Sequence, residues 1–335
     1  MMQGKRVWAV LFAAVLMALA LSCAAAEDDE VFTFGDYSYR VLEDGTAEIA
    51  GYQGSKSALV IPETLDGKSV TSIGDEAFSW CSSLTSVELP DSVTSMGANP
   101  FKGSKLLKNI RVSTEQPVFA VIDGVLFNKA EKSLICYPAG KQADAYKVPQ
   151  GIQQIGDYAL YCASLTSIEL PDGVTNIGNK VFSGCSSLTS IELPDGVTSI
   201  GNQAFSGCSS LTSIELSDSV TSIGIDAFRR CKALTNIVIP DSVTSIGAGA
   251  FSICLALTDI IIPDSVTSIE FYTFYHCEAL KNVTIPESVT YIDSGAFEGC
   301  DNLTLTVPHD SYAAQYAKDN GLNYTYPDAN DWLNN

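Results

Sequence analysis

Two consecutive stretches of the chain decide its fold: residues 188–210 read LTSIELPDGVTSIGNQAFSGCSS, and residues 211–233 read LTSIELSDSVTSIGIDAFRRCKA. The stretches align without a gap at a period of 23 residues, and the period continues on both sides of them. A phenylalanine recurs at that interval: Phe182, Phe205, Phe228, Phe251, Phe274 and Phe297. A fixed period of this length is typical of a solenoid, in which each repeat forms one coil that stacks on the next.

The consensus of one coil, LxxIxLPxxVxxIGxxAFxxCxx, predicts two short extended segments and no long helix. Ile191, Glu192 and Leu193 alternate apolar, polar and apolar, which is the pattern of a half-buried strand. Pro194 ends that strand because proline lacks the N–H that a ladder needs. Gly201 interrupts the second half of the coil, which therefore favours a second short extended or tightly turned segment.

A single coil buries too little apolar surface to fold alone. Ordering its backbone costs about 1–2 kcal/mol per residue, and its apolar side chains remain open to water at both ends of the coil. Stacking covers those ends and pairs equivalent strands in a parallel ladder at a spacing of about 4.8 Å. We therefore predict one right-handed solenoid, mostly β, with a parallel β-ladder on its concave face and no second domain.

The consensus LTSIELPDSVTSIGxxAFxxCxS resembles the BspA-like bacterial leucine-rich repeats, which occur in surface antigens and adhesins. The resemblance covers roughly residues 33–326 and implies an α/β-type, mostly β leucine-rich-repeat solenoid over residues 27–326. The register is less regular at 160–162, where the coil is one residue short and Leu160 replaces phenylalanine, and in the last coil, where Leu305 is shifted by one residue.

The same resemblance implies two specialised segments near the start of the solenoid. An N-terminal hairpin cap is expected over residues 27–60, with a turn at Glu43, Asp44 and Gly45. A variant coil with an inserted hairpin is expected over residues 113–147, which contain VFAVIDGVLFNKAEKSLICYPAG.

The two ends of the chain carry separate signals. Residues 1–26 have the form of a secretory signal peptide, with two basic residues, an apolar run and small residues before Glu27. A lipid anchor at Cys23 is the alternative to cleavage. At the other end, residues 309–326 predict a C-terminal helical cap with Asp310 or Ser311 as N-cap, Gly321 as the stop, and Tyr312 and Tyr316 over the last coil. Residues 327–335 are predicted to be a tail.

Composition excludes several classes of function. With 46% hydrophobic and 17% charged residues the chain is too apolar to be disordered. Its 39 acidic and 19 basic residues give a net charge of −20, which argues against nucleic acid or anionic lipid as a partner. No second apolar segment follows the signal, so we expect no membrane insertion after signal cleavage. No catalytic motif is present, so we expect neither an enzyme nor a cofactor.

Cysteines recur at the same interval of 23 residues, one in each of seven coils: Cys162, Cys185, Cys208, Cys231, Cys254, Cys277 and Cys300. One inward position repeated in this way predicts a column of buried free thiols. Disulfides are the alternative that secretion allows. A straight column cannot converge four ligands on one zinc ion, so no metal site is expected.

Two outward surfaces are candidates for ligand binding. The first is the outward position of the predicted strand, which holds glutamates in three successive coils and aliphatic residues in the next two: Glu169, Glu192, Glu215, Val238 and Ile261. It is either a solvated face or a recognition strip on the concave side. Calcium bridging of its glutamates lacks the loop oxygens that such sites use.

The second surface lies in the coil 257–279, which departs furthest from the consensus. Aromatic rings replace small or polar residues at four positions: Phe271, Tyr272, Tyr275 and His276. Arg229 and Arg230 lie two coils before them on the same predicted side. The rings either form an exposed interface or fold over the small residues Ala248 and Gly249 of the neighbouring coil.

The family resemblance implies a secreted or cell-surface, adhesin-like protein that binds a protein or glycan ligand, and we expect it to be a monomer. The alternative is a self-associating structural component of the bacterial cell surface.

Overall fold

The computed structural model describes residues 30–327. The predicted signal peptide, Cys23 and all but the first residue of the predicted tail lie outside the described residues. Within them the chain forms a solenoid whose coils have three sides: two strand ladders and a side made of turns. The solenoid with a parallel strand ladder that the period predicts is confirmed, and a second parallel ladder accompanies the first.

The first ladder contains the half-buried strand of each coil, paired in parallel with its equivalents. It runs in three sections: Ala58–Val60, Ser86–Glu88 and Asn109–Arg111; then Ala145–Lys147, Ser167–Glu169, Ser190–Glu192, Ser213–Glu215 and Asn236–Ile237; then Asp259–Ile261, Asn282–Thr284, Thr304–Thr306 and Asn323–Thr325. We call its solvent side the ladder face. In the three-residue strands only the middle residue, such as Ile191, points into the core.

The second ladder is formed by the short segment before the repeated glycine, which is extended as predicted. Its parallel strands are Gln154–Ile155, Asn176–Ile177, Ser199–Ile200, Ser222–Ile223 and Ser245–Ile246, with Ser268–Ile269 and Tyr291–Ile292 continuing as a pair. The glycine is needed because a Cβ at Gly201 would lie 2.4 Å from the carbonyl oxygen of Gly178 in the preceding coil.

The third side, which we call the turn face, is the stretch from the repeated glycine to the repeated cysteine. Alternate N–H groups donate to the next coil, as Phe205 N does to the carbonyl oxygen of Ala227 at 2.8 Å. Phe205 is fully buried, and its ring stacks on Phe182 and Phe228 at centroid distances of 5.1 and 5.3 Å. The core is therefore continuous along the solenoid axis.

The N-terminal segment forms a mixed sheet at the start of the solenoid, antiparallel between its first three strands and parallel where the third of them pairs with the strand Lys68–Ile73. Its strands are Val31–Phe34, Tyr37–Val41 and Ala47–Tyr52, followed by Thr64–Leu65, Lys68–Ile73 and Ser95–Met96. The hairpin expected around Gly45 is present, since Gly45 N donates to the Leu42 carbonyl oxygen at 2.8 Å. The first strand was not foreseen from the sequence.

The variant coil forms a three-stranded antiparallel meander rather than a single inserted hairpin. Its strands are Phe119–Ile122, Val125–Asn128 and Ser133–Cys136, and the last of them joins the second ladder. Asp123 and Gly124 form the first turn with positive φ angles of 51° and 78°, which a two-residue hairpin of this twist requires. The buried residues divide at this meander into two clusters.

The C-terminal helix spans Tyr312–Asp319, and Ser311 is its N-cap, with Oγ accepting from Ala314 N at 3.1 Å. The backbone reverses beyond it at Gly321, where φ is 66°. Tyr316 is buried and continues the phenylalanine column, 6.3 Å from Phe297. The prediction that Tyr312 also covers the last coil is wrong: in the first turn of the helix it lies at the edge of the coil and is 45% exposed.

Candidate functional site

The aromatic coil places its four rings on the turn face in a row in which each ring contacts the next, the first pair stacked and the last pair edge-on. Phe271 and Tyr272 have ring centroids 3.6 Å apart, Tyr272 and Tyr275 4.3 Å apart, and Tyr275 and His276 4.4 Å apart. Phe271 is 49% exposed and the other three are half-buried. The cluster thus presents one exposed ring supported by three others.

The local backbone explains the direction in which these rings point. Tyr272 and His276 have positive φ angles of 57° and 51°, and the equivalent positions of most other coils are also left-handed. Tyr272 lies against Gly295 and His276 against Gly299, both in the following coil. The alternative packing over Ala248 and Gly249 of the preceding coil is not the one adopted.

Arg229 and Arg230 lie on the turn face two coils before the rings. Arg229 occupies the position equivalent to Tyr275 and forms a 3.7 Å ion pair with Asp226. Arg230 occupies the position equivalent to His276 and is exposed. At about 4.8 Å per coil the arginines are roughly 10 Å from the rings, with the fully packed Ser252 between them. They share the face with the rings but do not contact them.

The ladder face carries the predicted outward column. Glu192 pairs in register with Glu215, and Ile261 with Thr284, so equivalent residues stand side by side on neighbouring coils. Val238 is 70% exposed and Ile261 68%. Such exposure of branched aliphatic side chains in consecutive coils is costly unless something covers it.

The charges of this column are balanced at one end. Glu169 forms an ion pair with Lys147 of the preceding strand, a contact that the sequence did not indicate because the variant coil separates Lys147 from the regular repeats. Glu192 and Glu215 form no ion pair with any residue from 30 to 327. A groove of about 570 Å³ lies along Glu169, Asp172, Glu192 and Asp195, and a second of about 320 Å³ along Glu192 and Glu215.

A second aromatic cluster on the turn face was missed from the sequence. The Trp80 ring, 55% exposed, meets the Tyr161 ring edge-on at 6.2 Å, and Lys102 Nζ lies 4.2 Å from the Tyr158 ring centroid. Lys102 also pairs with Glu76 at 2.6 Å. Tyr158 and Tyr161 occupy the positions equivalent to Tyr272 and Tyr275, but these residues join the coils on either side of the meander, since Asn99 Nδ2 donates to the Tyr158 carbonyl oxygen. The role of this cluster is structural: it connects the coils on either side of the meander.

The thiol column is present with one correction. Cys208 Sγ donates to the Phe182 carbonyl oxygen of the preceding coil at 3.1 Å, and the cysteines at 185 and from 231 to 300 make the equivalent bond. Cys162 does not belong to the column. The residue missing from its coil lies after Ala163, so Ala163 takes the cysteine position and Cys162 takes the left-handed position next to it, with φ of 58°.

The column thiols are protonated structural groups. All nine cysteines from Cys81 to Cys300 are free. Burial raises the pKa of Cys185 and of Cys231 to about 12, and it raises the pKa of Cys208 as well. Ser104 confirms the role of the position, because its hydroxyl replaces the thiol and donates to the Phe78 carbonyl oxygen at 2.8 Å.

Among residues 30–327, no group of three or more His, Cys, Asp or Glu side chains is arranged to hold a metal ion. None of the helices in that part of the chain has the length and apolar character to cross a membrane.

Comparison with known proteins agrees with this architecture. The family described as BspA type leucine rich repeat region matches residues 56–132, 153–277 and 198–315, in six copies. A leucine-rich repeat protein from Eubacterium ventriosum has 21% identity and a TM-score of 0.56, covering 81% of this chain and 94% of its own. A second, from Bacteroides ovatus, has 25% identity and a TM-score of 0.51, covering 83% and 82%. No curated protein matches.

Proposed function

Because this chain belongs to the BspA type leucine-rich repeat family, we propose that it is a secreted or cell-surface binding protein, an adhesin-like scaffold for a protein or glycan ligand. The proposed role involves no catalysis. The signal peptide predicted over residues 1–26 supports export of the chain.

One observation carries the proposal: two consecutive coils expose large apolar side chains, on the ladder face and on the turn face. Val238 belongs to the coil 234–256, and Ile261 and Phe271 belong to the coil 257–279. The inward positions of these coils are as fully buried as those of their neighbours, so folding does not require the exposed side chains. Clustered exposed aliphatic and aromatic groups are a common feature of interaction surfaces.

The test uses Tyr272→Ser together with Tyr275→Ser in the mature chain. Binding is measured on an array of immobilised extracellular matrix proteins and purified glycans, and the melting temperature is measured in parallel. We expect binding by the unmodified chain, loss of that binding in the variant and a small change in melting temperature. Tyr291→Ser with Tyr312→Ser, which removes two tyrosines exposed by 46% and 45%, should leave binding intact.

A large drop in melting temperature would assign the rings to the core and remove the turn face as the site. Absence of binding by the unmodified chain anywhere on the array would contradict the proposed function itself.

The alternative function, self-association, also has a structural feature in its favour. In the first strand Val31 and Phe34 are each 50% exposed, and the strand pairs on one edge only within the described chain. Uncovered apolar edge strands are sites of strand pairing between chains. Light scattering over a range of protein concentrations separates the two functions, because a binding scaffold stays monomeric and a structural component forms larger species.

A further inference from the structure

On the ladder face we propose that Glu169, Glu192, Glu215, Val238 and Ile261, which we call the strip, bind an extended polypeptide segment in which lysine or arginine residues precede aliphatic ones. This inference rests on the proposed binding function and specifies the chemistry of one partner. It concerns the ladder face, whereas the aromatic rings lie on the turn face.

The first argument is the unbalanced charge in the middle of the strip. Like charges directly opposite each other on neighbouring strands destabilise a sheet. Elsewhere in the same column each glutamate has a basic register partner, since Glu88 pairs with Arg111 and Glu169 with Lys147. Glu192 and Glu215 instead pair with each other and have no cation near them in the described chain. A cationic ligand would supply the missing charges.

The second argument is the aliphatic pair that follows directly. Val238 and Ile261 are 70% and 68% exposed, although outward positions of a ladder suit threonine or charged residues, as at Thr284. Apolar surface removed from water contributes about 25 cal/mol per Å² to binding. Carboxylates beside aliphatic groups thus match a ligand that is basic at one end and aliphatic at the other.

The sign of the charge selects the class of ligand. Carboxylates at about 4.8 Å intervals repel sulfated or uronic-acid glycans, nucleic acids and anionic lipid surfaces. Neutral glycans leave the negative charge of the carboxylates uncompensated and bring no aliphatic side chain to Val238 or Ile261. A polypeptide supplies both, and the long apolar stems of lysine and arginine also pack on aliphatic side chains.

The experiment measures fluorescence anisotropy of a labelled peptide in which three lysines precede three leucines, with glycine spacers, on the full mature chain. Glu192→Gln with Glu215→Gln should weaken binding about tenfold and reduce its salt dependence. Val238→Ser with Ile261→Ser should weaken binding by a similar factor and leave the salt dependence unchanged.

The matched control variants change residues outside the strip: outward positions of the first ladder near its N-terminal end, and one glutamate that lies outside that column. Val60→Ser removes an aliphatic side chain that is 67% exposed at the equivalent position, and Glu88→Gln with Glu287→Gln changes the net charge by the same amount as the test variant. Both should bind the peptide as the unmodified chain does. A peptide with the lysines and leucines in alternating order should bind more weakly.

Equal weakening by the charge-matched control would show that the peptide responds only to the net charge of the protein, and it would overturn the inference. Absence of peptide binding would do the same. If the array still shows ligand binding that depends on Tyr272 and Tyr275, the proposed function stands while this inference fails.

Discussion

At the scale of single residues, inward and outward positions of a coil differ sharply in their expected contribution to stability. Phe205 is fully buried between two other phenylalanine rings, so Phe205→Ala should lower the free energy of unfolding by about 3–5 kcal/mol. Glu192→Ala should change it by less than about 0.5 kcal/mol, or raise it slightly by relieving repulsion from Glu215. Urea denaturation of the two variants measures both values, and similar losses would contradict the assignment of the two positions.

The left-handed position before each cysteine gives a second expectation. Gly207 has φ of 77°, and Arg230 at the equivalent position of the next coil has φ of 61°. A residue with a Cβ is strained there by about 1–2 kcal/mol. Arg230→Gly should therefore raise the melting temperature and Gly207→Ala should lower it, because a Cβ at Gly207 meets only ordinary contacts and strain decides the outcome. Opposite shifts in differential scanning calorimetry would refute this explanation.

Residue-level errors in the sequence interpretation come from backbone conformation that the period does not encode. Cys162 was assigned to the thiol column because it lies 23 residues before Cys185, but the missing residue of that coil falls between Ala163 and Leu165. Nothing in the spacing locates a deletion to one side of a cysteine. Likewise, the repeat predicts that Tyr272 points outward. Its positive φ, however, depends on the turn geometry and turns the ring toward the following coil.

At the scale of the element, the thiol column predicts how stability depends on pH. Burial raises the pKa of Cys185 and Cys231 from 9.0 to about 12, so the unfolded chain releases these protons at a lower pH than the folded one. The contribution of these two buried thiols to the free energy of unfolding is fully present below pH 9 and is lost as the pH rises from 9 toward 12. The free energy of unfolding should therefore fall in this range.

The check is the slope of unfolding free energy against pH in the unmodified chain and in Cys231→Ala. Between pH 9 and 12, the number of protons released on unfolding should be lower by about one in the variant than in the unmodified chain. The same slope in both proteins would mean that Cys231 ionises in the folded state as readily as in the unfolded one.

Elements inside the repeats were predictable and those outside them were not. Ser190–Glu192 and Ser199–Ile200 follow from alternation, proline and glycine within one coil. The strand Val31–Phe34 has no repeat to define it. The contact of Lys102 with Tyr158 joins residues far apart in sequence, and only the looping out of the meander between them brings the two together.

At the scale of the whole molecule, the period determines the stacking, and our proposal places ligand specificity in the departures from it. The outward residues of the coil 257–279 can be replaced by those that the coil 188–210 carries at the same positions. These changes are Ile261→Glu, Phe271→Asn, Tyr272→Gln, Tyr275→Ser and His276→Gly. Since the replacements already fit their positions in another coil, the solenoid should remain folded.

Binding of this five-residue variant to the array of matrix proteins and glycans is the most direct test of a recognition scaffold centred on coils 234–279. Our account predicts a melting temperature close to that of the unmodified chain and loss of ligand binding. A folded variant that binds the same ligand with unchanged affinity would contradict it.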